Sequence, residues 1–263
     1  MKQRRYLLVF ALVFVFLATH AKAEGIAAAQ YASAVDRYDH FALGRPHEYA
    51  RLIVTTDSGR SIALDLPVDE VFEDLTPRLV TLVSGEPSEI LTIVSQRDRG
   101  SRLALIRLNN GRLEVSAESP AIGTPNRWLN PVGVVDLDGD GRAEIAAVTT
   151  PHIGGSLRVY RRNGNKLIEI AALGDVSNHI FGNSELGMSA IVSVEGQLRM
   201  LVPDSTRSRL RLIAWERGTL REVAQCTTSA LVTGPIQVVS PAVVLVGIAS
   251  GQQRIVPSDC PAN

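Results

Sequence analysis

Short β-patterned runs separated by turns recur along this chain about every 45–55 residues, and that recurrence limits the fold more than any other feature. The clearest unit spans Pro131 to Gly174. Strands are expected at Val132–Asp136, Glu144–Thr150, Ser156–Arg161 and Leu167–Ala171, with Arg162-Asn163-Gly164-Asn165 turning between the last two. A unit from Pro77 to Pro120 repeats the layout at Arg78–Val83, Glu89–Ser95, Arg102–Leu108 and Arg112–Ala117. Another, from Met188 to Thr227, does so at Ala190–Val194, Leu198–Val202, Arg209–Trp215 and Leu220–Ala224. Weaker runs lie at Tyr49–Thr56 and Arg60–Leu66, and at Ile236–Val239, Val243–Ala249 and Arg254–Pro257. Such an array predicts an all-β chain, a β-propeller of four-stranded antiparallel blades, about five of them. The incomplete last unit suggests closure by strand exchange, with residues 24–39 completing the C-terminal blade and removing an exposed edge. Beyond the N-terminus no stretch carries a convincing helical period, Gly25–Val35 being the only candidate.

Between the first two strands of the central unit lies Asp136-Leu137-Asp138-Gly139-Asp140-Gly141-Arg142-Ala143-Glu144. Carboxylates at its first, third, fifth and ninth places, with glycines that let the backbone coil, form an oxygen cage for a hard cation, and the Arg142 carbonyl can join it. An EF-hand would need a glutamate at the twelfth place and flanking helices; here that place is Ala147, between β-branched runs. Asp-Gly is also a common turn dipeptide, so a polar hairpin is the plainer reading. The equivalent stretches at Thr81–Glu89 and Ser193–Gln197 have lost most of the acidic ligands. A metal bound in one unit braces the fold; it does not centre an activity.

The strand–acidic loop–strand pattern within units of this length resembles the FG-GAP/VCBS repeat family, which includes integrin α-subunit headpieces and many exported bacterial proteins. The resemblance covers roughly Tyr49 to Thr227. It implies a β-propeller with calcium held by Asp136, Asp138, Asp140, the Arg142 carbonyl and Glu144. Val71–Val80, Asn126–Gly133 and Ser177–His179 look like the corresponding stretches of uncharacterised exported VCBS-repeat proteins.

Lys2, Arg4 and Arg5 precede the apolar run Tyr6–Leu17 and then Ala21-Lys22-Ala23, the layout of a secretory leader cut after Ala23. The run is about 12 residues, short of the roughly 20 that span a bilayer. Residues 24–263 are therefore expected to form one propeller domain, a periplasmic or secreted monomer with no integral membrane segment. Without the leader, 23 basic residues face 27 acidic ones, a balance that gives no reason to expect nucleic acid as a partner. In an oxidising compartment Cys226 and Cys260 are expected to pair.

Loops opposite the acidic one are polar, and Arg99, Arg127, Trp128, His152, His179 and Arg207 are expected to converge at a central mouth. Arginines there suit a carboxylate, phosphate or sulfated sugar, with Trp128 as a stacking surface. Each also has a plainer role, as a rim ion pair, a wedge between blades or a loop-orienting histidine. The expected function is a calcium-stabilised, non-catalytic binding or scaffold module for a protein or an anionic small molecule or glycan. The alternative is an exported hydrolase or lyase acting on a carbohydrate or anionic substrate at the mouth, through carboxylates drawn from Asp57, Asp98, Glu185 and Asp204. No Gly-x-Ser-x-Gly elbow or zinc-ligand spacing supports other chemistries.

Overall fold

The computed structural model describes residues 24–262, so the expected leader lies outside the described residues. These residues are all-β, with no α-helix. The N-terminal group contains β1 (Ile26–Val35), β2 (Glu48–Thr56), β3 (Ser61–Asp65) and the short β4 (Glu70–Phe72). Next come β5 (Arg78–Val80), β6 (Glu89–Gln96), β7 (Gly100–Asn109) and β8 (Arg112–Glu118). The acidic loop lies in the third group, β9 (Leu129–Val135), β10 (Glu144–Thr149), β11 (Ser156–Asn163) and β12 (Lys166–Gly174). The fourth holds β13 (Ala190–Val194), β14 (Gln197–Pro203), β15 (Arg209–Glu216) and β16 (Thr219–Thr227), and the last β17 (Val232–Ser240), β18 (Val243–Ile248) and β19 (Gly251–Ile255).

Hydrogen bonding joins the first three groups into one 12-stranded sheet and leaves the others as sheets of four and three strands. The joins between groups are short: β4 meets β6 in an antiparallel ladder from Glu70–Gln96 to Phe72–Val94, and β8 meets β12 in parallel at Glu118–Lys166 alone. Within the groups every ladder is antiparallel.

Successive groups stack through buried side chains. Because alternate residues of a strand point to opposite faces, a strand buried on both sides reads as a continuous apolar run. In β6, Ile90 and Val94 pack with Leu52 and Phe72, while Leu91 and Ile93 pack with Leu129 and Ile145. In β10, Ala146 and Val148 face the other way, toward Met200, Val202 and Ile213 of the fourth group. A fourth cluster joins Leu201, Leu210 and Leu212 to Val232, Val244 and Val246 of the last.

One expectation at the N-terminus is corrected. Ile26–Val35 is a strand, but it pairs with β2, from Ile26–Thr56 to Val35–Glu48. It is therefore not the strand that completes the C-terminal sheet, and among the described residues no strand ladder joins the first and last groups. The C-terminal tail turns back instead onto the fourth: Ala262 bridges Ala224, and Cys260 is bonded to Cys226. No helix among the described residues is long and apolar enough to cross a membrane.

Candidate metal centre

β9 and β10 close on the pair Val135–Glu144, which fixes both ends of the acidic loop. Gly139 and Gly141 take φ of 77° and 86°, the left-handed region that glycine enters without Cβ strain. The loop then coils around the Asp136 carboxylate, which accepts the N–H groups of Gly139 at 2.8 Å, Asp140 at 3.2 Å and Gly141 at 2.9 Å. The loop's far side is pinned to the second group, where Ala143 N–H donates to the Leu82 carbonyl at 2.7 Å and Arg142 bridges Val83.

This geometry draws one carboxylate oxygen from each of Asp136, Asp138 and Glu144 within 4.8 Å of the others. Glu144 is fully buried, and its Oε2 accepts the Leu137 N–H at 2.9 Å. Asp140 lies outside this trio, exposed, with Oδ1 accepting the Arg142 N–H at 2.8 Å. Arg161, which the sequence reading overlooked, donates from Nε to Glu144 at 2.8 Å and from Nη2 to Asp138. Strand register puts it there, since Tyr160 pairs with Ile145 and so its neighbour falls beside Glu144. An all-oxygen, all-carboxylate donor set suits a hard divalent ion, and the Arg161 guanidinium stands in for that positive charge.

Of the six residues expected at the mouth, Trp128, His152 and His179 come together. Trp128 is 1% exposed; its indole N–H donates to the Glu73 carbonyl at 2.9 Å, and its face lies 6.0 Å from the parallel His152 ring. Trp128 is thus a wedge within the core, with no face open as a ligand platform. His179 Nε2 lies 2.8 Å from the Asn183 carbonyl, which can only accept, so that nitrogen carries the proton. His179 Nδ1 is then the acceptor for His152 Nε2–H, at 2.7 Å. Burial first, and then His179, His40 and Arg207, hold His152 down to about 3. Burial likewise lowers His179 to about 4, opposed by its bond to Asn183 and reinforced by Arg207.

Arg207 joins the cluster's edge by donating to Ser177 Oγ at 3.3 Å. Arg99 is exposed, and Arg127 bonds the adjacent Asn126 carbonyl. Three further residues were missed. His40 Nδ1 lies 2.5 Å from the buried Glu73 carboxylate, and Phe181 packs edge-on between His40 and His152. They come from loops distant in sequence, so no local spacing announced them. The carboxylates considered for catalysis are engaged locally: Asp57 with Gly25 N–H, Glu185 with Gly187 N–H, and Asp204 with Thr206 and Ser208 of its own turn; Asp98 is exposed.

The depressed histidines predict acid lability. Below their ordinary 6.5 the unfolded chain takes up protons that the folded one refuses until about 4 and about 3. Stability from this pair is therefore present above 6.5 and lost as pH falls through that window. Calorimetry should give a lower Tm at about pH 4.5 than at about pH 7.5, with a smaller difference in His152→Gln. An equal pH slope in that variant would contradict the assignment.

No protein-family model matches this chain, and no curated protein matches it.

Proposed function

We propose that this chain is an exported, calcium-braced binding module of the β-propeller kind, resembling FG-GAP/VCBS repeat proteins, that recognises a protein or anionic ligand without catalysis. The observation that carries the metal reading is the convergence of Asp136, Asp138 and Glu144 around the positive end of Arg161. These three would hold calcium, with Asp140 and the Arg142 carbonyl as the further oxygen donors that the resemblance assigns. The ion would supply positive charge to a loop that otherwise relies on one guanidinium. The propeller reading is supported by five strand groups in chain order and by core clusters at each of the four successive contacts. Export is supported by the disulfide, which belongs to an oxidising compartment. Local engagement of Asp57, Glu185 and Asp204 favours binding over hydrolysis.

Thermal unfolding of residues 24–263 in EDTA, then with rising calcium, tests this directly. At about one hundred times the Kd, binding to the folded state alone adds about 2.7 kcal/mol, roughly 5–10 °C for a chain of this size. Asp138→Ala is expected to abolish the gain. Equal melting of the wild type in both buffers would remove calcium from the account.

A further inference from the structure

Beside the acidic loop lies a cavity of about 800 Å³, between the ends of the second and third strand groups and reaching Glu24–Ile26. This volume suits a small-molecule ligand, and its wall is rich in guanidinium groups: Arg107, Arg142, Arg161 and Arg162. Three of these are engaged. Arg162 neutralises the buried Glu89 at 2.5 Å, Arg107 pairs with Glu114 at 2.6 Å, and Arg161 is held by Asp138 and Glu144. Arg142 is exposed, and its guanidinium has no partner among the described residues. Of the acids on the wall, Glu24 is paired with Arg60, and Glu86 is exposed.

We infer that this cavity is an anion site whose affinity is set by the neighbouring cation. The ligand class is a small molecule bearing carboxylate, sulfate or phosphate, received by Arg142 and Arg161. This inference rests on the cation reading above. Its physical basis is charge. Asp136, Asp138, Asp140 and Glu144 set four negative charges against the two positive charges of Arg142 and Arg161, leaving two in excess beside the cavity. That excess repels an incoming anion and keeps Arg161 occupied. A divalent ion cancels it and competes with the guanidinium for the same oxygens, at twice its charge. Arg161, which lines both places, then has its hydrogen-bond donors available to the cavity. Cation and anion strengthen each other by one common factor, as linkage requires.

Inorganic sulfate is the probe, titrated calorimetrically into residues 24–263 at fixed ionic strength, in EDTA and in saturating calcium. The expected result is one site per chain that tightens about five-fold or more with calcium. Arg142→Gln should lose sulfate in both buffers. Asp138→Asn, which removes one of the two excess charges, should bind sulfate more tightly than wild type in EDTA. Calcium that binds but leaves sulfate affinity unchanged overturns the coupling. Sulfate binding absent from the wild type, or unaffected by Arg142→Gln, overturns the site. If the wild type takes up no calcium while Asp138→Asn still tightens sulfate, the anion site stands and the calcium reading alone falls.

Discussion

Replacing Trp128 with alanine is expected to cost about 3–5 kcal/mol of unfolding free energy, measured by urea denaturation. The side chain is 1% exposed and packs with Leu129, Ile145 and Leu91 where the second and third strand groups meet. Truncation opens a cavity in that interface, removes the indole donor from the buried Glu73 carbonyl, and takes away the surface on which His152 and His179 rest. Trp128→Phe separates these contributions. It keeps most of the packing and loses the hydrogen bond, so a cost of about 1–3 kcal/mol is expected. Equal losses in the two variants would mean that packing is not what makes Trp128 matter.

Reduction of Cys226–Cys260 is the second large effect. The bridge spans a sequence separation of 34, for which loop entropy gives about 4 kcal/mol in the chain-entropy account. The enclosed segment is the whole last group, β17 to β19, with three strands where its neighbour has four. It is held by the apolar cluster around Val232 and Val246 and by the tail that returns to β16 through Gln225 and Ala262. In dithiothreitol the melting temperature should fall, and limited proteolysis should cut first between Thr228 and Cys260. Melting unchanged by reduction would show that the cluster alone secures the group.

Strand positions in the three central units were legible because the runs are apolar with β-branched residues among them and the last hairpin of each unit turns at Asn-Gly or Arg-Gly; the observed edges lie within a few residues of those expected. The partner of β1 was not: Ala27-Ala28-Ala29-Gln30 has little strand propensity of its own, and nothing in the local sequence says that it pairs with β2 rather than with the last group. The acidic loop was readable because its donors are neighbours in sequence. Arg161 was not, although the hairpin register through Tyr160 and Ile145 leads to it. Trp128, His152 and His179 were expected together because their connections recur at one end of the repeat; adding His40, Glu73 and Phe181 depends on how five separate connections fold over one another, and no spacing rule encodes that.

The return of the tail to β16 also decides how this chain would bear load. Tension on the C-terminus reaches Cys260 and crosses the covalent bridge to Cys226, bypassing β17–β19. That segment cannot be drawn out while the bridge is intact, so its length is withheld from any extension. A pull at the other end meets no covalent bridge, but the ladder between β1 and β2, the Glu24–Arg60 ion pair and the side chains packed on them. Under stretch the protein should unravel in one direction, from its N-terminal strand inward.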